Sequence, residues 1–376
     1  MRYKTIGSDK TITPAIGIGC MGLGGYFKPD TSADEEVVNT LRLAFDHGMT
    51  FVDTAEVYAG GHCEELIGQA IRNRRHKIYV ATKVSPENLR SANLIAAAEA
   101  SLKRLQTDYI DLYQVHWPNP KISIEESIDT LESLVKAGKI RHIGLSNFSL
   151  SQLRKAQSCM KQETMAAVQV EYNLFDRSVE SDFLPYCQSE NMILIAYSPL
   201  DQGHICGGPH RYEMLAPIAG NYNCSVAQLA LAWLIRQSGV MVIPKAVKPD
   251  HVISNAKASD IELSDGDAEE IRRITARSLA VIPIDRIRIA NDDTITQRQV
   301  YQTLDEARAN IYGFSPSPVE LAKDMRSGDL LKAVRVRRTS DPTDTYDYEL
   351  IEGRIRYWAW VIAFEGKRDI PVLVRE

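Results

Sequence analysis

Long apolar runs are missing from this chain: nowhere do the roughly 18 successive apolar residues that cross a bilayer occur. The first ten residues, MRYKTIGSDK, also lack the apolar centre of a secretion signal, so a cytoplasmic protein is expected. Cysteine is scarce and unpatterned. Cys20, Cys63, Cys159, Cys187, Cys206 and Cys224 form no C-x-x-C, which points to reduced thiols rather than a disulfide framework. His204, Cys206 and His210 in HICGGPH are metal-ligand types, but a fourth ligand and a rigid frame are lacking; the segment reads as a polar loop and no metal is expected. Excess positive charge is missing too. A net charge of −5 gives no field for nucleic acid, so the expected partner is a small molecule.

What is present is a chain of 376 residues, 44% hydrophobic and 25% charged, long enough for one large domain or a large and a small one. From about residue 14 to residue 260, short apolar runs alternate with segments whose apolar residues recur at three- and four-residue spacing. The runs are ITPAIGIG, MTFVDT, KIYVATK, YIDLYQVH, IRHIGLS, AAVQVEY, MILIAYS and GVMVIP. With helices between them and another at PDHVISNAKA, a (β/α)8 TIM barrel is the natural solution. LSDGDAEEIRRITARS reads as a further helix, and the character then changes. A small C-terminal α+β domain over 281–376 is expected after a barrel over 1–278, with the boundary near Leu279.

GIGCMG, residues 17–22, fits the G-x-G-x-x-G spacing of a doubly wound dinucleotide fold. There the glycines open a helix at once; here GGYFKPDTS follows, and the first helix starts only near Ala33. The glycines therefore mark the top of the first barrel strand, where backbone at Gly19, Cys20 and Met21 can approach a ligand closely.

Barrel enzymes carry their chemistry at the C-terminal ends of the strands. Those ends hold Asp53, Lys83, His116, Ser146 with Asn147, Gln169, Tyr197 with Ser198, and Lys245, while Tyr58 follows Asp53 in DTAEVY. A tyrosine, a lysine, an aspartate and a histidine suit protonation of a carbonyl oxygen as hydride reaches its carbon. A free phenol titrates near ~10, too high for an efficient general acid, and an adjacent ammonium is expected to lower that value. Asp53 would keep Lys83 charged, and His116 would orient the substrate oxygen or join a proton relay.

FVDTAEVY, VATKV, DLYQVHWP, GLSNFS, VQVEYN and AYSPL resemble the signature segments of the aldo-keto reductase superfamily, in order, over about residues 3–278. The resemblance implies a catalytic tetrad of Asp53, Tyr58, Lys83 and His116, with Tyr58 as general acid, and a nicotinamide cofactor held without a Rossmann fold. It implies that Ser146, Asn147 and Gln169 hold the carboxamide and that Tyr197 stacks under the nicotinamide ring. Ser198, Pro199 and Leu200, with Gln202 beyond them, match the segment along the pyrophosphate, where Asp201 replaces a small residue. Lys245, Lys248, His251 and Asn255 match the adenosine-phosphate clamp. His251 stands where an arginine commonly grips the 2′-phosphate, a forked contact that histidine does not reproduce; Lys245 and Lys248 still supply positive charge, so NADPH is favoured over NADH. Tyr26, Phe27, Trp117 and the segment Gln202–Tyr212 are expected to wall the substrate site, for a polar carbonyl compound or sugar-like substrate.

The C-terminal stretch YELIEGRIRYWAWVIAFEGKRDIPVLVRE is similar to the ParB-type partition-protein N-terminal domain and the sulfiredoxin-like fold. That similarity implies phosphate binding at Gly353, Arg354 and Arg356, with ATP or CTP as candidate ligands. Arg354 and Ile355 depart from the partition-protein motif, and no cysteine follows Cys224, which removes sulfiredoxin chemistry. An NAD(P)H-dependent carbonyl reductase, or the reverse dehydrogenase, is thus the leading reading. The alternative is an NADPH-binding redox sensor or scaffold with little turnover.

Overall fold

The computed structural model describes residues 1–206, 214–276, 280–289, 301–314, 316–326, 333–339 and 346–375. His210, the later part of the Gln202–Tyr212 segment, Leu279 and most of the turn at 340–347 lie outside them. The chain divides into two compact units, Met1–Thr275 and Ala276–Glu376. Among the described residues no helix is long and apolar enough to cross a membrane.

The first unit opens with an antiparallel hairpin, β1 (Tyr3–Ile6) and β2 (Thr11–Pro14). ITPAIGIG is therefore not one strand, as its composition suggested. Pro14 has no N–H to extend a ladder, and the chain leaves the hairpin there. The chain then enters the barrel, where β3 (Ile18–Gly19) pairs with the next strand. After it come β4 (Phe51–Asp53), β5 (Tyr79–Val84), β6 (Ile110–Val115), β7 (Ile140–Ser146), β8 (Met165–Glu171), β9 (Ile193–Tyr197) and β10 (Val240–Val242). All pair in parallel with their sequence neighbours. The ring closes where Gly17 N donates to Val242 O at 2.8 Å and Val242 N to Ala15 O at 3.0 Å.

Helices α1 (Asp34–Asp46), α2 (His62–Ile71), α3 (Ser91–Leu105), α4 (Ile124–Lys136), α5 (Leu150–Cys159) and α6 (Phe183–Ser189) separate the strands. A short α7 (Ala216–Asn221), absent from the sequence reading, precedes α8 (Val226–Arg236), and α9 (Pro249–Lys257) and α10 (Asp265–Ile274) follow the last strand. The local causes are ordinary. α4 buries Ile128, Leu131 and Leu134 on one face, with Glu125 and Glu126 in its first turn and Lys136 in its last, matching the helix dipole. α5 and α8 each start at a capping box, Ser149 with Gln152 and Ser225 with Gln228.

Two residues of the GIGCMG run are glycine for packing reasons. A Cβ at Gly17 would lie 2.8 Å from Phe51, and one at Gly19 would lie 2.6 Å from the carbonyl oxygen of Ile243. At the opposite end Ile6 of the hairpin joins Phe51, Leu112, Ile195 and Met241 in a separate apolar cluster. There Tyr79 Oη meets His142 Nδ1 at 2.8 Å, and His142 Nε2 meets Asp9 Oδ1 at 3.0 Å.

In the second unit, β11 (Ala280–Ile282), β12 (Ile287–Ile289), β13 (Val334–Arg338), β14 (Tyr348–Glu352) and β15 (Ile370–Arg375) form one mixed sheet in the order β11-β15-β13-β14-β12. α11 (Leu304–Ala309), α12 (Pro318–Arg326) and α13 (Arg354–Phe364) complete it. Its own apolar core includes Val336, Leu350, Ala359, Ile370 and Val372.

Gly19→Ala tests the barrel closure. Backbone blocks the added methyl, so the variant is expected to lose about 1–3 kcal/mol of stability, read as a lower urea midpoint at unchanged slope.

Candidate active site

The parallel register stacks the polar residues into a ring: Gly19 beside Asp53, Lys83 beside Gln114, Gln114 beside Gly144, and Ser146 beside Gln169. Lys83 lies at the centre, wholly buried. Its Nζ donates to Asp53 Oδ1 at 2.6 Å and to Thr54 O at 2.8 Å, and the Tyr58 phenol lies beside it. Burial pushes the lysine's pKa down, but Asp53 and Tyr58 more than reverse this, and it is held above the ordinary lysine value.

Tyr58 stands on the turn after β4, held by left-handed backbone at Ala59, Gly60 and Gly61 and by Ala59 N donating to Tyr26 O at 2.7 Å. Lys83 Nζ is 5.1 Å from the centre of its ring, and the His116 ring meets it edge-on at 5.8 Å. Burial raises the phenol's pKa and outweighs the opposing pull of Lys83. The expected lowering is thus corrected: Lys83 moderates the rise without reversing it, and Tyr58 stays protonated. Burial, with Lys83 adding to it, pulls the His116 imidazole down to about 3. A neutral ring is a hydrogen-bond partner for a carbonyl oxygen, not a store of protons near neutral pH.

Asn147, at a positive φ of 63°, sits just past β7. Its Nδ2 donates to His116 O at 3.1 Å and to Ser146 Oγ at 3.0 Å, and its Oδ1 accepts from the hydroxyl of half-buried Tyr197 at 2.9 Å. Gln169 Nε2 donates to Asp53 Oδ2 at 2.7 Å, so this amide already serves the aspartate. Gln114 faces the same oxygen at 3.3 Å. The sequence reading passed over Gln114; its signal was a polar residue two places before His116 inside an apolar strand.

Other residues lie farther out. Cys20 is completely buried and its thiol lies against Cys63, so its side chain cannot meet a ligand and only its backbone can. Met21, Tyr26 and Trp117 are exposed. Ser198, Asp201 and Gln202 have positive φ in a tight turn; Asp201 and Pro199 are buried, Leu200 packs against the core and Gln202 is exposed. Lys245 is exposed, 5.3 Å from the centre of the Tyr26 ring, and a Cβ at Gly22 would lie 2.9 Å from its Nζ. Lys248 and His251, at the start of α9, are exposed, and Asn255 is buried. In the second unit Gly353 has a φ of 91° immediately before α13, and Arg356 Nη1 donates to Ala333 O at 3.3 Å. Arg354 is the first residue of α13.

The fold is thus a parallel eight-stranded barrel with a buried, ion-paired lysine beside a tyrosine at its strand tops. A model of the Aldo/keto reductase family matches residues 15–276. The chain is 39% identical over 255 residues to methylglyoxal reductase YeaE of Escherichia coli, covering 68% of this chain and 88% of that one. It is 31% identical to aldo-keto reductase YhdN of Bacillus subtilis, covering 74% and 95%. Among solved structures it is similar to the thermostable aldo-keto reductase Tm1743, with TM-score 0.70, 42% identity, and coverage of 73% of this chain and 100% of that one. An aldo/keto reductase of Klebsiella pneumoniae in complex with NADP and acetate gives TM-score 0.67 and 38% identity, covering 73% and 96%. The chain belongs to the aldo/keto reductase family, and with it to the NAD(P)H-dependent oxidoreductases.

The His116 assignment is testable without substrate. One imidazole signal, identified by its loss in His116→Gln, is expected not to titrate between about pH 5 and pH 8 by NMR, where an ordinary histidine with a pKa near ~6.5 would.

Proposed function

We propose that the barrel reduces a small polar carbonyl compound to an alcohol with NADPH, Tyr58 delivering the proton. One observation carries this reading: a fully buried Lys83, fixed by Asp53 at 2.6 Å, lies beside a protonated Tyr58, whose ring meets a neutral His116. His116 orients the substrate oxygen, Tyr58 Oη gives up its proton to that oxygen, and Lys83 stabilises the phenolate left behind. NADPH, when bound, supplies the hydride. Its nicotinamide would be held by Ser146, Asn147, Gln169 and Tyr197, and its phosphates by Ser198, Pro199, Leu200, Gln202, Lys245, Lys248, His251 and Asn255. The donor set fits such a group. Tyr197 offers a half-buried aromatic face beside an amide, and Gly22 keeps open a space beside Lys245 that a Cβ would fill. The Escherichia coli relative named for methylglyoxal and the Klebsiella structure with NADP support the substrate class and the cofactor.

Tyr58→Phe is expected to lower kcat for methylglyoxal and other aldehydes by about 10²–10⁴-fold while NADPH fluorescence still shifts on binding. An unchanged kcat would remove Tyr58 from its role. A wild-type protein that binds NADPH yet oxidises none with any of a panel of aldehydes, ketones and sugars would favour the sensor or scaffold reading.

For residues 281–376 we infer an α+β module that binds a phosphate group at Gly353, Arg354 and Arg356. The order of β14, a left-handed Gly353 and α13 supports it, together with the resemblance to the ParB-type and sulfiredoxin-like folds. Calorimetric titration of the full chain with ATP and CTP is expected to show one site weakened at least about tenfold by Arg356→Ala. No heat with either nucleotide, or no effect of the substitution, removes the assignment.

A further inference from the structure

The Asp53 carboxylate has two oxygens, and Lys83 takes one of them. Oδ1 receives Nζ at 2.6 Å; Oδ2 receives Gln169 Nε2 at 2.7 Å and Gln114 Nε2 at 3.3 Å. The carbonyl oxygen of Gln114 in turn accepts from Gln169 Nε2 at 3.4 Å. Gln114 is completely buried on β6, in register with Lys83 on β5 and Gly144 on β7. A Cβ at Gly144 would come within 2.9 Å of Gln114 Cγ, so the slot for this side chain exists because residue 144 has none. An apolar residue would fill such a place at no electrostatic cost. A buried amide needs partners at both ends, and both of Gln114's lie in the ring around Asp53.

We propose that Gln114 is a positioning residue for the reaction: its amide N–H holds the Asp53 carboxylate and its carbonyl holds Gln169, so that Asp53 continues to face Lys83. This rests on the carbonyl-reductase reading in one respect, the assignment of Gln169 to the nicotinamide carboxamide. The Gln169 amide has two N–H bonds, and any it lends to a cofactor is taken from Asp53 or Gln114. On Asp53 Oδ2, Gln114 is the donor not shared with that group.

Melting of the cofactor-free protein against pH, for wild type, Gln114→Leu and Gln114→Glu, separates a hydrogen-bonding role from space filling. A carboxyl at 114 keeps the amide's shape. Protonated, it donates to Asp53 Oδ2; ionised, it repels it. The other titratable groups at this place are Lys83 on β5, charged throughout the range, Tyr58 and His116 above it, both neutral, the Cys20 thiol, which burial keeps protonated, and Cys63 against it. Gln114→Glu is expected within about 2 °C of wild type near pH 5.5 and several degrees below it near pH 8.5, with Gln114→Leu below at both. Gln114→Leu is also expected to lower kcat about tenfold while the NADPH Kd stays within about twofold. Equal offsets of both variants from wild type at every pH would overturn the proposal, as would wild-type kcat in Gln114→Leu. The melting arm needs neither cofactor nor substrate, so an inactive wild type would defeat the proposed reaction and leave that arm to decide the role of Gln114. Should Gln114→Leu fail to fold, the pH dependence of Gln114→Glu decides alone.

Discussion

An ammonium group shut away from water dictates the arrangement at the mouth of this barrel. Moving such a charge into a medium of low dielectric costs on the order of 20 kcal/mol in the idealised limit, and several in a real protein. Lys83 has three N–H bonds: the Asp53 carboxylate and the Thr54 carbonyl each accept one, and the Tyr58 phenol from the same stretch of chain lies beside the ammonium group. Removing either acceptor leaves a buried donor without a partner. The segment Asp53–Tyr58 therefore cannot drift from β5, and the catalytic tyrosine of the proposed reaction is placed by the need to satisfy a lysine.

The same accounting passes outward through Asp53. A buried carboxylate also needs donors on both oxygens, and the barrel supplies them from β5, β6 and β8. Parallel register places these strand ends side by side, and the close approach at Gly144 admits the amide from β6. Neutral amides satisfy the carboxylate without adding charge, so the ion pair with Lys83 keeps its balance. The barrel closes tightly enough for this only because Gly17 and Gly19 carry no side chains against Phe51 and Ile243.

Much of this was legible in the sequence. The alternation of apolar runs with helical spacing showed the barrel, and the start of the first helix fell at Asp34, next to Ala33. Asp53, Lys83 and His116 could be picked out because each is a polar residue at the end of an apolar run. Gln114 could not, since it sits inside such a run and its partners are 61 and 55 residues away in sequence. The hairpin at the start was missed because ITP and GIG read as one continuous apolar strand, and only the pairing partner Tyr3–Ile6 distinguishes them. The burial of Cys20 was hidden for a related reason: position at a strand top does not say which way a side chain turns.

The sign of the Tyr58 shift follows from a competition that composition alone cannot resolve. Burial opposes the phenolate most strongly, Lys83 favours it, and Asp53 opposes it again but less than Lys83 favours it. Lys83 lies between the carboxylate and the phenol, so the nearer cation dominates the pair. The result is a phenol that keeps its proton at rest; in the proposed reaction it loses that proton to an oxygen whose own proton affinity climbs as its carbon is reduced. A tyrosine lowered to neutral pH would have a large fraction ionised beforehand and unable to donate. Holding the value up, with a charge beside it that lowers the cost of the phenolate, suits the acid role in reduction better than the strong depression that the residue types alone suggest.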